Sequence, residues 1–168
     1  MPYNSEKRPY PPFHPKLQGC VAHDRRMSHA LEDFYAAELH AVAAYTYRSL
    51  LCEPADRTLS DLFNAIAIEE IEHFRLLGEL ILALGGNPTL RTRVQVEPFP
   101  LCHGDRACTE REAHCMIEDA IREEKALVDC YETLMSRTED RVVRSVFSHL
   151  IADEQAHVGS LLKFQTNG

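Results

Sequence analysis

The sequence lacks tryptophan, long apolar runs and any excess of positive charge. Without an uninterrupted apolar stretch of about 18 residues, no segment is predicted to span a membrane. Aromatic residues make up only 8% of the chain, so no base-stacking platform for single-stranded nucleic acid is predicted. The net charge of −8 disfavours binding to nucleic acid or to an anionic membrane surface. We therefore expect no nucleic-acid partner and no membrane partner.

The cysteines lack the C-x-x-C spacing of common redox and zinc motifs, although six are present. The segment Met1–Arg8 also lacks the apolar core of a signal peptide, so we expect a cytoplasmic location with free thiols. Cys52 and Cys130 fall in predicted helices, and we expect both to be core thiols. A second candidate metal site has a spacing that matches no common zinc pattern. Its members are Cys102, His103, Cys108, His114 and Cys115.

A single domain with a hydrophobic core is expected from the 168 residues, of which 45% are hydrophobic. Apolar residues at steps of three and four predict four helices in that domain. Their expected ranges are about 26–52, 55–84, 109–136 and 140–164. Pro54 ends the first helix and Gly85–Pro88 ends the second. Thr109 and Glu112 form a capping-box sequence that begins the third.

The remaining segments are a proline-rich beginning, one long connection and a short end. Residues 1–25 are predicted to be an extended arm, and residues 165–168 a tail. Thr92–Val96 resembles a short strand, but no second strand is available to pair with it, so we predict that residues 85–108 form a loop. When fully extended, such a loop can reach over roughly 80 Å, whereas a helix of thirty residues is about 45 Å long. The loop is therefore long enough to run back along the whole bundle. The sequence therefore predicts an all-α four-helix bundle over residues 26–164, with one long crossover between helices 2 and 3.

Two E-x-x-H motifs lie in the middle of the apolar faces of helices 2 and 4. They are Glu70 with His73 and Glu154 with His157, and side chains three residues apart leave a helix on the same face. About one such motif is expected by chance, so a single copy is weak evidence. However, each copy follows a helix that carries a Glu on its apolar face with a Tyr seven residues later. These preceding pairs are Glu38 with Tyr45 and Glu124 with Tyr131.

Four carboxylates and two imidazoles on apolar faces predict a metal centre. Four negative charges that converge in one core are strongly unfavourable unless divalent or trivalent cations lie between them. Imidazole nitrogens together with carboxylate oxygens suit iron or manganese. Six protein ligands shared by two metals leave positions open for dioxygen or peroxide.

With these motifs, the chain resembles the ferritin-like di-metal carboxylate proteins, which include rubrerythrins, bacterioferritins and manganese catalases, over about residues 28–164. In that family two helices each supply one Glu and the other two each supply an E-x-x-H motif. Glu123 competes with Glu124 for this role, and the Tyr131 that follows Glu124 favours the latter. The resemblance implies that Tyr45 and Tyr131 hydrogen-bond to ligand carboxylates, with helix packing as their alternative role. The implied metal ligands are Glu38, Glu70, His73, Glu124, Glu154 and His157.

Departures from the family leave more than one activity open. Ile121 and Leu127 stand where rubrerythrins have a further ligand Glu, and the iron-binding C-x-x-C tail of rubrerythrins is missing. The second helix has no Met to ligate haem. The resemblance therefore implies two metal ions per chain, iron or manganese, with no haem and an external electron donor. We expect an oxidoreductase that reduces hydrogen peroxide, or that oxidises ferrous iron with peroxide or oxygen.

Three other functions remain open at the level of sequence. They are an iron-storage mini-ferritin, a manganese catalase, and a structural or coat bundle with a vestigial site. For the oligomeric state we expect a homodimer, because closed two-fold assembly is the commonest arrangement of soluble oligomers.

Overall fold

The computed structural model describes residues 22–90, 96 and 108–167 of the chain. Within these residues all regular secondary structure is helical, which confirms the predicted all-α class. The four helices are α1 (Arg25–Cys52), α2 (Arg57–Ala83), α3 (Glu110–Met135) and α4 (Arg141–Asn167). Most of the predicted N-terminal arm, and residues 91–95 and 97–107 of the predicted loop, lie outside the described residues.

The end of α4 departs from the sequence prediction. We predicted that helix 4 would end at Phe164 and be followed by a tail, but α4 continues to Asn167. No glycine or proline lies between Phe164 and Gly168, so the helical hydrogen bonds have no reason to stop at Phe164. The other helix boundaries lie close to their predicted positions.

A side-chain oxygen caps the beginning of each helix. The Oδ1 atoms of Asp24, Asp56 and Asp140 accept backbone N–H bonds of 2.9–3.1 Å in the first turns of α1, α2 and α4. At α3 the hydroxyl of Thr109 accepts from the backbone N–H of Glu112, and the Glu112 carboxylate accepts from the backbone N–H of Thr109 at 2.6 Å. The predicted capping box is therefore confirmed.

The end of α2 is a Schellman motif, as the Gly-Gly sequence predicts. Gly85 has a φ of 84° and donates its N–H to the carbonyl of Leu82, while Gly86 donates to the carbonyl of Ile81 at 2.9 Å. A positive φ is available to glycine without the steric cost that a Cβ would add. The carbonyl of Leu84 also accepts from the N–H of Asp24, which fastens the beginning of α1 to the end of α2.

The described residues belong to two compact units of the chain. Unit 1 falls within Met1–Tyr47 and Asp61–Glu97 and contains most of α1 and of α2. Unit 2 falls within Arg48–Ser60 and Pro98–Gly168 and contains the remaining ends of those helices together with α3 and α4. No helix among the described residues combines the length and the apolarity that crossing a membrane requires.

An aromatic pair packs between neighbouring helices in each unit. In unit 1 the rings of Tyr35 and Phe74 stack with centroids 4.1 Å apart, and burial raises the pKa of the Tyr35 hydroxyl. In unit 2 helices α3 and α4 pack together, and the Tyr131 ring lies 6.0 Å from that of Phe147. These contacts help to hold α1 against α2 in unit 1 and α3 against α4 in unit 2.

The capping box gives a first stability prediction. Replacing Thr109 by Ala should lower the free energy of unfolding by about 1 kcal/mol, because the first turn of α3 loses its side-chain acceptor. A matched control is Thr133→Ala in the same helix, where the exposed hydroxyl only donates to the carbonyl of Asp129. This control should change the free energy by less than about 0.5 kcal/mol. Urea unfolding followed by circular dichroism measures both, and equal effects would contradict the prediction.

Candidate metal centre

Unit 1 contains one group of predicted metal ligands, which we call the N-terminal half-site: Glu38 of α1 with Glu70 and His73 of α2. The Nδ1 atom of His73 lies 3.1 Å from Oε2 of Glu70 and 3.8 Å from Oε2 of Glu38. The three side chains each offer one ligand atom, and these atoms all lie within 4.8 Å of one another. All three side chains are no more than 1% exposed. A nitrogen and two carboxylates therefore face one point inside unit 1.

The local reason for this arrangement is the buried stripe of α2. Glu70 and His73 occupy two successive steps of that stripe, where the helix period would otherwise place apolar side chains. Phe63 and Ile66 precede them on the stripe, and Leu77 follows; all of these residues are buried. The apolar neighbours bury this face of α2, and with it the carboxylate and the imidazole.

Unit 2 contains the corresponding C-terminal half-site: Glu124 of α3 with Glu154 and His157 of α4. The Nδ1 atom of His157 lies 3.0 Å from Oε2 of Glu154 and 3.6 Å from Oε2 of Glu124. Their ligand atoms again lie within 4.8 Å of one another, and no residue of the three is more than 3% exposed. The C-terminal half-site thus has the same residue types in the same helix order as the N-terminal half-site.

The two half-sites agree at the level of individual atoms. In each of them the imidazole presents Nδ1, its nearer contact is the Glu three residues before it, and its farther contact is the Glu of the preceding helix. Burial of two carboxylates beside one imidazole is costly, because the charged groups lose their hydration. A cation coordinated by these atoms would offset that cost, and two oxygen donors with one nitrogen donor suit iron or manganese.

The neighbouring acidic residues face away from the half-sites. The carboxylate of Glu123 accepts two hydrogen bonds from Nη2 of Arg48, at 2.9 and 2.8 Å, and is half-exposed. Glu72 pairs with Arg75, and the hydrogen bond between them raises the pKa of the Arg75 guanidinium. The structure therefore places Glu124, and not Glu123, beside His157. Metal binding by the six predicted residues stays a prediction.

The two tyrosines of the repeated pattern are fully buried. Tyr45 packs on Phe63 with ring centroids 5.9 Å apart, and Tyr131 packs on Phe147. Both tyrosines therefore take part in helix packing, which was the alternative role. Their predicted hydrogen bonds to the ligand carboxylates stay a prediction.

The predictions for the cysteines and for a second metal site agree less well with the structure. Cys52 is a buried thiol, as predicted, but Cys130 is exposed, so its assignment to the core was wrong. Cys102 and His103 lie outside the described residues. Of the other proposed ligands, Cys108 is buried whereas His114 is more than half exposed. Within the described parts of the chain, Cys108, His114 and Cys115 form no ligand cluster.

Four helices with two repeated sets of buried carboxylates and imidazole define a class of all-α carboxylate proteins. The family model of the ferritin-like domain matches residues 28–167. The chain belongs to the ferritin-like domain family. No curated protein matches its sequence.

Two bacterioferritins are among the solved structures similar to this chain. One, from Rhodobacter capsulatus, has a metal-free dinuclear site and a haem iron; it is 24% identical, with 87% of each chain covered and a TM-score of 0.70. The other, from Desulfovibrio desulfuricans, has a diiron site captured in different catalytic states; it is 24% identical, with 84% of this chain and 78% of that chain covered and a TM-score of 0.69. At this level of identity the likeness establishes the fold, and it confirms the predicted ferritin-like four-helix bundle.

Proposed function

We propose that each half-site binds one metal ion, two per chain, and that the protein is a di-metal oxidoreductase. The observation that carries this proposal is the pair of buried half-sites, each with two carboxylates and one imidazole. Membership of the ferritin-like domain family supports it. The dinuclear site of one bacterioferritin and the diiron site of the other also support it. The proposed substrates are hydrogen peroxide, or ferrous iron with peroxide or oxygen.

The donor atoms narrow the range of metals that we propose for the half-sites. Carboxylate oxygens and imidazole nitrogens favour iron and manganese over metals that prefer thiolates. Iron is our first choice and manganese the second. We further propose that no haem is bound, because α2 has no methionine that could ligate one.

Each residue of the half-sites has a definite role in this proposal. When bound, the metals would exchange electrons with the oxidant by changing their charge. The glutamates would neutralise the cations and shift between binding modes as that charge changes. His73 and His157 would present neutral Nδ1 atoms, and burial would keep bulk water from the site. Reduction of peroxide to two waters consumes two electrons and two protons, so an external electron donor is required.

The test is an anaerobic titration of the metal-free protein with ferrous iron, followed by hydrogen peroxide. We expect about two ferrous ions bound per chain, as six ligands for two metals imply. Peroxide should then oxidise the bound iron, with new absorption in the near ultraviolet and visible range. Elemental analysis supplies the metal count. Protein that binds no iron or manganese when both are supplied would remove the proposal.

Iron storage is the second candidate function, and the likeness to two bacterioferritins favours it. Storage requires a hollow assembly of many chains, whereas a homodimer, which we propose, has no interior for a mineral. The mass in solution therefore separates the two functions. Oxygen release from peroxide without a reductant would instead indicate a manganese catalase. Intact assembly with no turnover and no bound metal would indicate a structural bundle.

A further inference from the structure

Two cysteines that are distant in the sequence meet inside unit 2. Cys52 is the last residue of α1, and Cys108 directly precedes Thr109, the cap of α3. Their Sγ atoms are 3.6 Å apart although 56 positions separate them in the chain. Both residues are buried, Cys52 completely. This pair belongs to neither half-site.

The thiols form a short chain of sulfur contacts. The Cys108 thiol donates to Sγ of Cys52, and the Cys52 thiol donates to Sδ of Met116 at 3.9 Å. Burial, followed by the hydrogen bond from Cys108, raises the pKa of Cys52 far above the usual range. While Cys108 is reduced, Cys52 is therefore a poor first target for an oxidant, which reacts with thiolates.

Cys108 has the access that Cys52 lacks. A cavity of about 360 Å³ is lined by Cys108, Asp56, His114 and Phe164, among other residues of unit 2. Cys52 does not line this cavity. A molecule as small as peroxide fits the space easily, and Cys108 is the sulfur that it would meet.

The spacing also allows a covalent bond between the two sulfurs. A disulfide has an S–S distance of about 2.05 Å, so the sulfurs must approach by about 1.5 Å. Because Cys52 ends a helix and Cys108 precedes one, we expect χ1 rotations and small backbone shifts at the helix ends to close this gap. The bond would link the end of α1 to the beginning of α3.

We propose that Cys52 and Cys108 are a peroxide-reactive thiol pair that closes to an intramolecular disulfide. Hydrogen peroxide first oxidises the Cys108 thiol to a sulfenic acid, its O–O bond breaks, and one water leaves. The Cys52 thiol then attacks the sulfur of that sulfenic acid: the S–S bond forms, the S–O bond breaks, and the Cys52 proton leaves with the hydroxyl as a second water. Two thiols thus lose two electrons and two protons to one peroxide. The proposal is independent of the metal centre, because peroxide acts here on sulfur.

The experiment treats the full-length protein with hydrogen peroxide, alkylates the remaining thiols and maps the peptides by mass spectrometry without reduction. We expect about one disulfide per chain, joining Cys52 to Cys108, which dithiothreitol reverses. In Cys52→Ser, a dimedone adduct should accumulate at Cys108. Cys130→Ser is the matched control, and it should give the same disulfide yield as the parent chain. E70Q/E154Q treated in parallel should also form the disulfide, which separates this proposal from that of the metal centre.

Two results of the peptide mapping would overturn the proposed disulfide. Full alkylation of Cys52 and Cys108 after exposure to peroxide would overturn the proposal. So would a disulfide that joins Cys108 to Cys20, Cys102 or another chain. Peptide mapping of the parent chain distinguishes these outcomes even if Cys52→Ser fails to fold.

Discussion

Replacing both Glu70 and Glu154 by glutamine should lower peroxide turnover in the presence of ferrous iron by about 100-fold or more. Each substitution removes the carboxylate nearest to the imidazole of its half-site, at 3.1 Å from His73 and 3.0 Å from His157. Glutamine has nearly the same shape but no negative charge, so the metals lose ligands while the packing persists. Steady-state peroxide consumption, metal content and far-ultraviolet circular dichroism together test this expectation.

A control variant with the same loss of charge is available on the protein surface. Glu72 pairs with Arg75, and Glu118 lies beside His114, with each carboxylate about half exposed. Replacing both of these glutamates by glutamine should leave metal content and turnover within about twofold of the parent, because surface ion pairs contribute little. If the surface variant lost as much activity as E70Q/E154Q, net charge and not ligation would explain the effect. If E70Q/E154Q kept full activity and metal, the proposed centre would be wrong.

Manganese should stabilise the metal-free protein strongly, without the complication of redox chemistry. A ligand present at a hundred times its dissociation constant adds about 2.7 kcal/mol to the free energy of unfolding for each site that exists only in the folded state. Two occupied sites would therefore add about 5 kcal/mol, and the Tm of a domain of this size should rise by about 10–20 °C. Thermal unfolding followed by circular dichroism, with and without manganese, gives the shift.

The physical basis of this shift is the concentration of buried negative charge. Each half-site holds two carboxylates with little exposure, and a cation between them replaces the hydration that they lose on folding. A chelator should reverse the rise in Tm. E70Q/E154Q should show little of it, since each half-site then retains one carboxylate. A similar rise in that variant would place the stabilising ions elsewhere on the protein.

Local signals in the sequence determined the helices and the composition of the half-sites. Gly85 and Gly86 predicted the end of α2, and Thr109 with Glu112 predicted the beginning of α3. Such signals act within one or two helical turns, so neighbouring residues suffice to recognise them. Asp24 and Asp56 cap α1 and α2 by the same chemistry, although the sequence pattern alone did not draw attention to them.

Which of Glu123 and Glu124 faces inward depends partly on the sequence pattern and partly on helix packing. Adjacent residues on a helix differ by about 100° in direction, so a small rotation of α3 decides which one faces inward. The internal repeat favoured Glu124, and the packing of α3 on α4 places it beside His157 while Glu123 pairs with Arg48. Burial of Tyr131, seven residues later on the same face, is consistent with that rotation.

The sequence by itself determined four helices, their caps and two repeated sets of acidic and imidazole ligands. Only the tertiary structure decided that Cys130 is exposed, that Cys52 lies against Cys108, and that Nδ1 is the nitrogen facing the glutamates. The reason is the range of the interactions. Helix period and capping depend on residues a few positions apart, whereas the meeting of Cys52 and Cys108 depends on how separate helix ends pack in space.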